Sequence, residues 1–437
     1  MSFLYSCLTF VQPGILWPEI ADLRPVIVVT LLGFAIGLPR RSDYPRRDVF
    51  THPIFVCLLI FSFAQVVSVY YSGIASMLDE FSFWSAYPLF VVISILLISN
   101  PVALKRYVLG MIAGSMVVVL YGIYAVYAQL PSAIQGRAGA YGLYENHNDY
   151  SFIIIMVLPF IYMYWRSQSG MPGLIRRGLL ALCMVACVVG IFLSLSRGGM
   201  LALVLQVVLI VLFGMQGRRR LFLLPILAVA GVAAIVYQWN TRAENQGANY
   251  TASQAESSRF ELWRIARKMI EAKPLLGVGS RRYREFSQDY GEVSHDNRGK
   301  VSHNTYLEIL TGSGLIGFTP FALMVYYMFR ELRRRPRHPG PPWLDATRTA
   351  ALISFCSILA RALLDAKPHD WSFYVLFSIG LTCGALQRQI DLSPSDQSDA
   401  PAGEAGGDAA HARTNRDQQG VRDGRGQRVT RCEGVLK

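Results

Sequence analysis

Apolar runs long enough to cross, or nearly cross, a bilayer recur from the first residues to about residue 390. In hydrocarbon every backbone N–H and C=O must be satisfied internally, so such runs fold as helices unless they close a barrel. Candidate spans fall at 3–17, 25–38, 52–71, 83–98, 107–130, 149–165, 178–196, 199–215, 221–239, 305–329, 346–364 and 371–386. The expected fold is all-α: a polytopic bundle of about 12 transmembrane helices with one large loop, residues 240–304, between the ninth and tenth. The first two runs fall short of the roughly 20 residues a crossing needs, so tilt, a kink at Pro13 or re-entry is expected there.

Composition agrees, with 52% of 437 residues hydrophobic and 16% charged, against about 25% charged in a soluble domain. The net charge of +13 would suit nucleic acid, but position argues otherwise. Arg40, Arg41, Arg46 and Arg47, then Lys105 and Arg106, Arg166, Arg176 and Arg177, Arg218 to Arg220, and Arg330 to Arg337 fall in alternate loops. By the positive-inside rule those loops are cytoplasmic. Both termini are then expected in the cytoplasm and residues 240–304 in the periplasm, on a multi-pass protein of a bacterial inner membrane with no nucleic-acid partner.

The seven cysteines lie apart, with no CxxC pair, and support neither a disulfide framework nor a zinc site. Cys7 follows Leu4-Tyr5-Ser6 without a basic n-region, so no cleaved signal is expected. The chain lacks a GxxxxGK loop and an HExxH pair, which argues against an ATP-driven pump and a membrane zinc protease. Beyond about residue 391 a Gly, Ala, Asp, Arg and Gln-rich tail buries too little to offset its ordering entropy and is expected to be disordered and cytoplasmic. Residues 1–130 then form N-terminal helices, 131–330 a core with the large loop, 331–390 C-terminal helices and 391–437 the tail.

The informative residues are the few bases of the outer face. Arg197, in Ser194-Leu195-Ser196-Arg197-Gly198-Gly199, joins two apolar runs with almost no loop. It either snorkels to lipid phosphate or clamps a phosphate bidentately, with small neighbours letting a head group near the backbone. Arg137 lies in Gly136-Arg137-Ala138-Gly139, ahead of Asn146-His147-Asn148-Asp149, which suits a helix cap or sugar binding. In the loop, Leu262, Trp263, Ala266, Met269 and Ile270 form the apolar stripe of an amphipathic helix expected to start at a serine cap near Ser257 and to lie on anionic lipid. That start puts Arg259 in the first turn, where the helix dipole disfavours a cation unless an anion sits nearby. His303, in Ser302-His303-Asn304-Thr305, stands where the loop returns to the membrane. A lone histidine is more often structural, but beside phosphate-binding arginines an imidazole is the natural acceptor for a hydroxyl proton. Thr311-Gly312-Ser313-Gly314-Leu315-Ile316-Gly317 would let the next helix pack closely or kink.

The order of Gly136 to Asp149, Ser194 to Gly199, the loop with Arg259 and Pro274-Leu275-Leu276-Gly277-Val278-Gly279, Ser302-His303-Asn304, and Gly314 to Gly317 resembles the O-antigen ligase and O-antigen polymerase family, most clearly over 130–330. Where many members have Asn-Pro-Asn, this chain has Asn146-His147-Asn148. The resemblance implies metal-independent, cofactor-free glycosyl transfer on the periplasmic face, from an undecaprenyl-pyrophosphate-linked glycan to an acceptor hydroxyl. It implies that Arg197 and Arg259 bind the donor pyrophosphate and that His303 is the base or orients the acceptor, with Arg137, Asn146, Asn148 and Asn304 as substrate-binding candidates. The acceptor is expected to be the lipid A core (a ligase), with the growing glycan (a polymerase) or a protein side chain (an O-oligosaccharyltransferase) as alternatives. From other classes, a secondary anion transporter would place charge near the midplane in two related halves, and a noncatalytic scaffold would tolerate alanine at all three positions.

Overall fold

Several long helices start where the chain supplies an acceptor for the free N–H groups of the first turn, with proline often next because its missing N–H costs nothing there. His52 Nδ1 accepts from Ile54 ahead of Pro53–Val67, Asn100 from Ala103 ahead of Pro101–Tyr127, and Asp370 from Ser372 ahead of Trp371–Asp391. Asn146 and Asn304 do the same for His147–Arg166 and Thr305–Leu332. The computed structural model describes residues 1–392 apart from 18, 20–24, 40, 134, 135, 169, 215–230 and most of 232–251. The expected span at 221–239, Arg40, Arg218 to Arg220 and nearly all of the tail lie outside the described residues.

Met1–Ser393 form one compact, helical unit, with no strand among the described residues. Among the described residues six helices are long and apolar enough to cross a membrane: Pro53–Ser72, Ile74–Leu97, Pro101–Tyr127, Gly173–Ser194, Arg197–Gly214 and Thr305–Leu332. His147–Arg166, Pro342–Arg361 and Trp371–Asp391 have the length, about 30 Å at 1.5 Å per residue, but are less apolar. Their location explains it, since Tyr150 to Ile161 and Phe373 to Leu386 are buried among other helices and need not satisfy lipid. The chain turns at Gln12, in the left-handed conformation just before Pro13, so the first run is a kinked pair of short helices, Ser2–Val11 and Pro13–Leu16.

Thr305–Leu332 is broken at Gly314, whose φ of 60° and ψ of −158° are open only to glycine. The backbone groups freed by the break are taken up by the Pro274 to Gly279 run. Val278 and Gly279 donate to the carbonyls of Thr311 and Gly312 at 2.7 and 2.9 Å, and Leu315 and Ile316 donate to those of Pro274 and Leu275 at 2.8 and 3.1 Å. Non-helical backbone at membrane depth is tolerated when protein satisfies it in this way. The long loop is thereby clamped beside the start of the next span.

The loop helix runs over Ala252–Ala272. It starts before the expected serine, so Arg259 lies two turns inside it and the dipole argument for an anion there does not hold. Leu262, Ile265, Ala266 and Met269 are buried with Val278 and Tyr283 in a small core of their own, so this stripe packs on protein rather than on lipid. Trp263 Nε1 donates to Ser302 O at 3.0 Å, tying the helix to the residue before His303.

At the other end of Thr305–Leu332, Glu331 meets Arg388 at 2.5 Å and His52 at 3.4 Å, joining three helices. Asp391 accepts the backbone N–H groups of Arg337 and His338 nearby. The Arg330 to Arg337 cluster and His303 therefore stand at opposite ends of one helix, about 40 Å long by its residue count.

Candidate functional site

Three chain segments converge where the loop meets the bundle. Thr305 N donates to Ala362 O at 2.8 Å, Thr305 Oγ1 donates to Asp365 O at 2.6 Å, and the Lys367 N–H donates back to Thr305 Oγ1 at 3.0 Å. These bonds lash the turn between the last two helices to the residue pair after His303. On the third side Ser280 N donates to Ser68 Oγ at 2.9 Å, and Trp84 Nε1 donates to Glu80 and Ser280 at 2.8 and 2.9 Å.

Between them lies a cavity of about 400 Å³ walled by Asn146, Asn148, Asp149, Arg281, Arg284, His303, Glu308, Asp365, Lys367 and His369. Its lining carries Arg281, Arg284 and Lys367 beside the carboxyl groups of Asp149, Glu308 and Asp365. Arg281 pairs with buried Glu80 at 2.6 Å and lies over the Phe83 ring at 3.9 Å. Lys367 pairs with Asp149 at 2.8 Å. Burial lowers the affinity of this ammonium for its proton, but Asp149, Asp365 and Asp370 together raise the pKa above the ordinary lysine value.

His303 is half-buried, at a φ of 50°, and Arg281 has a φ of 60°. Left-handed conformations at non-glycine residues cost about 1–3 kcal/mol each and collect at functional sites. Burial pushes the His303 imidazole below its usual pKa; Asp365 opposes this, while Arg259, Lys300 and Arg284 reinforce it. The ring is thus neutral near pH 7 and can accept a proton.

Of the residues expected from sequence, His303, Asn146 and Asn148 line the cavity, and Arg259 is near enough to act on His303 through its field. Asn304 sits above it as a helix cap, accepting from Tyr306 and Leu307 at 3.0 and 3.1 Å. Arg197 does not line the cavity. It opens the Arg197–Gly214 helix, next to Ser196, whose hydroxyl donates to Asn148 Oδ1 at 2.8 Å. Gly198 and Gly199 do not leave room for a head group, because the Arg361 guanidinium and Ser151 occupy the spaces their side chains would fill. Arg137 is buried away from the cavity wall, donating to the carbonyls of Ser194 and Leu195 at 3.1 Å each. It caps the end of Gly170–Ser194 where Leu195 turns left-handed.

Sequence reasoning missed Arg281, Arg284, Asp365, Lys367 and His369. The signals were Arg281-Arg282-Tyr283-Arg284 directly after Gly279-Ser280, and Asp365 to Asp370, a dense polar run in the short turn between two spans.

The helical bundle thus carries at one end a polar cavity of mixed charge, with a histidine that is neutral near pH 7 on its wall. Residues 179–322 match the family model described as O-antigen ligase. The chain is also 22% identical over 359 residues to the exopolysaccharide production protein ExoQ of Rhizobium meliloti (strain 1021), covering 74% of this chain and 79% of that protein. Residues 179–322 are thus similar to the O-antigen ligase family, and most of the chain is similar to an exopolysaccharide production protein.

Proposed function

We propose that the chain transfers a glycan from a polyprenyl-pyrophosphate carrier to an acceptor hydroxyl at the periplasmic face of a bacterial inner membrane. The observation that carries this reading is the cavity itself, in which His303 faces Arg281, Arg284 and Lys367 within range of Arg259. In the reaction the acceptor oxygen attacks the anomeric carbon, the bond from that carbon to the pyrophosphate oxygen breaks, and the pyrophosphate leaves with the electron pair. Arg259, Arg281 and Arg284 neutralise the leaving charge, with Arg197 beside the Asn148 wall as a further ligand. His303 takes the hydroxyl proton. Asn146 and Asn148 contact sugar, Asn304 holds the backbone that carries His303, and Arg137 supports the turn that carries Arg197. With the charge met by guanidinium groups, the step needs no divalent ion.

The similarity to an exopolysaccharide production protein favours a growing glycan as acceptor, and the O-antigen ligase match keeps the lipid A core as the second reading. The test is transfer by purified protein in EDTA from a lipid-pyrophosphate-linked oligosaccharide, offered free oligosaccharide or lipid A core. Wild type transfers, and His303→Ala and Arg259→Ala fall by about 100-fold or more while still folded. Variants that equal wild type would remove the assignment.

A further inference from the structure

A second cavity of about 480 Å³ adjoins the first and shares Phe83, Asp149, Lys367 and His369 with it. Its other walls mix the aromatic rings of Tyr87, Tyr144 and Trp371 with Leu143, Ile153 and small or polar side chains. Its two carboxylates, Asp149 and Asp370, face a single ammonium, Lys367, which Asp149 already pairs, so this space repels a pyrophosphate. Two polar atoms on the wall between the cavities are buried without a hydrogen-bond partner, Asp149 Oδ1 and His369 Nδ1. Asp149 is 8% exposed, and its other oxygen accepts from Lys367. A buried acceptor left unmet is unfavourable, and an alkyl chain in this space would leave both unmet.

We propose that this second cavity is the acceptor-sugar subsite, in which Asp149 Oδ1 and His369 Nδ1 accept hydrogen bonds from hydroxyls of a pyranose stacked on the Trp371 ring. The proposal rests on the glycosyl-transfer reading of the first cavity and adds where the acceptor lies. A pyranose has an apolar face for the part-exposed Trp371 ring, which Tyr87 backs at a centroid distance of 4.8 Å, and an edge of hydroxyl donors for the two acceptors. Because Asp149 and His369 line both cavities, a hydroxyl held by them lies next to the space in which the arginines would hold the donor. Asp149 and His369 are positioning residues, and the proton still passes to His303.

The experiment uses the full-length chain in lipid nanodiscs with diazirine-bearing methyl glucoside and methyl galactoside, the crosslinks being mapped by mass spectrometry. Labelling falls on Tyr87, Tyr144 or Trp371, is blocked by excess unlabelled glycoside and survives inorganic pyrophosphate. His369→Phe, which keeps a ring against Phe83, cuts the labelling about fivefold to tenfold, and His369→Asn, whose amide oxygen replaces the lost acceptor, restores it. The proposal is overturned if neither sugar labels these residues, if His369→Phe labels as wild type does, or if a diazirine-bearing farnesyl lipid labels them and the sugars do not compete. No turnover is needed, so sugar binding here without glycosyl transfer would fault the reaction, and transfer without sugar binding here would fault the subsite.

Discussion

Charge at the cavity is held by buried carboxylates placed behind the bases. Glu80 is buried and Arg281 is 39% exposed, so solvent screens the pair, and a double-mutant cycle with Glu80→Gln and Arg281→Gln should give a coupling of about 1 kcal/mol in thermal unfolding. A coupling indistinguishable from zero would mean that the carboxylate does not hold the guanidinium. His369 gives a second measurable effect. Burial, reinforced by Lys367 and Arg281, lowers its pKa to about 4, below the roughly 6.5 of an unfolded histidine. Between those values the unfolded chain binds the proton and the folded chain does not. This group's contribution to stability is therefore complete above about pH 6.5 and is lost progressively as the pH falls toward about 4. Melting of wild type and His369→Gln in detergent at about pH 7 and about pH 4.5 should show the smaller acid loss in the variant; equal losses would contradict it.

The broken helix sets the position of the loop. A Cβ at Gly314 would run into the Leu275 carbonyl and would sit at a φ of 60°. Gly314→Ala should therefore lower stability by about 1–3 kcal/mol or more and release the Pro274 to Gly279 run, seen as faster amide exchange at Val278 and Gly279. Gly312→Ala is the control, since its Cβ would meet nothing nearer than 3.4 Å. Comparable damage from both would show that neither the left-handed φ of Gly314 nor its approach to Leu275 is responsible. The sequence reading allowed a kink over 311–317 but could not pair it with the loop run, because the pairing is made by backbone bonds between segments about 35 residues apart, which leave no side-chain pattern to read.

The bundle separates its two ends chemically. One carries the cavity and the other the Glu331 cluster and Arg330 to Arg337. If the alternation of basic loops sets the orientation, a cysteine at Lys300 reacts with a membrane-impermeant maleimide on intact spheroplasts and one at Arg335 does so only after lysis. The reverse pattern would put the cavity on the cytoplasmic side and remove the periplasmic reaction. The span count was legible only in part from apolar runs. Interior helices such as His147–Arg166 are recognised by burial in the bundle as much as by hydropathy, and packing decides which helices are interior.

Helix class and the membrane setting were determined by the sequence, because apolar run length and cap residues are local properties. The acidic and basic partners of the cavity were decided by tertiary structure alone. Lys367 meets Asp149, and Arg281 meets Glu80, across some 200 residues of chain. Separations of that size have no periodicity to read, and only the packing of helices that meet at one end of the bundle brings such groups to within 3 Å.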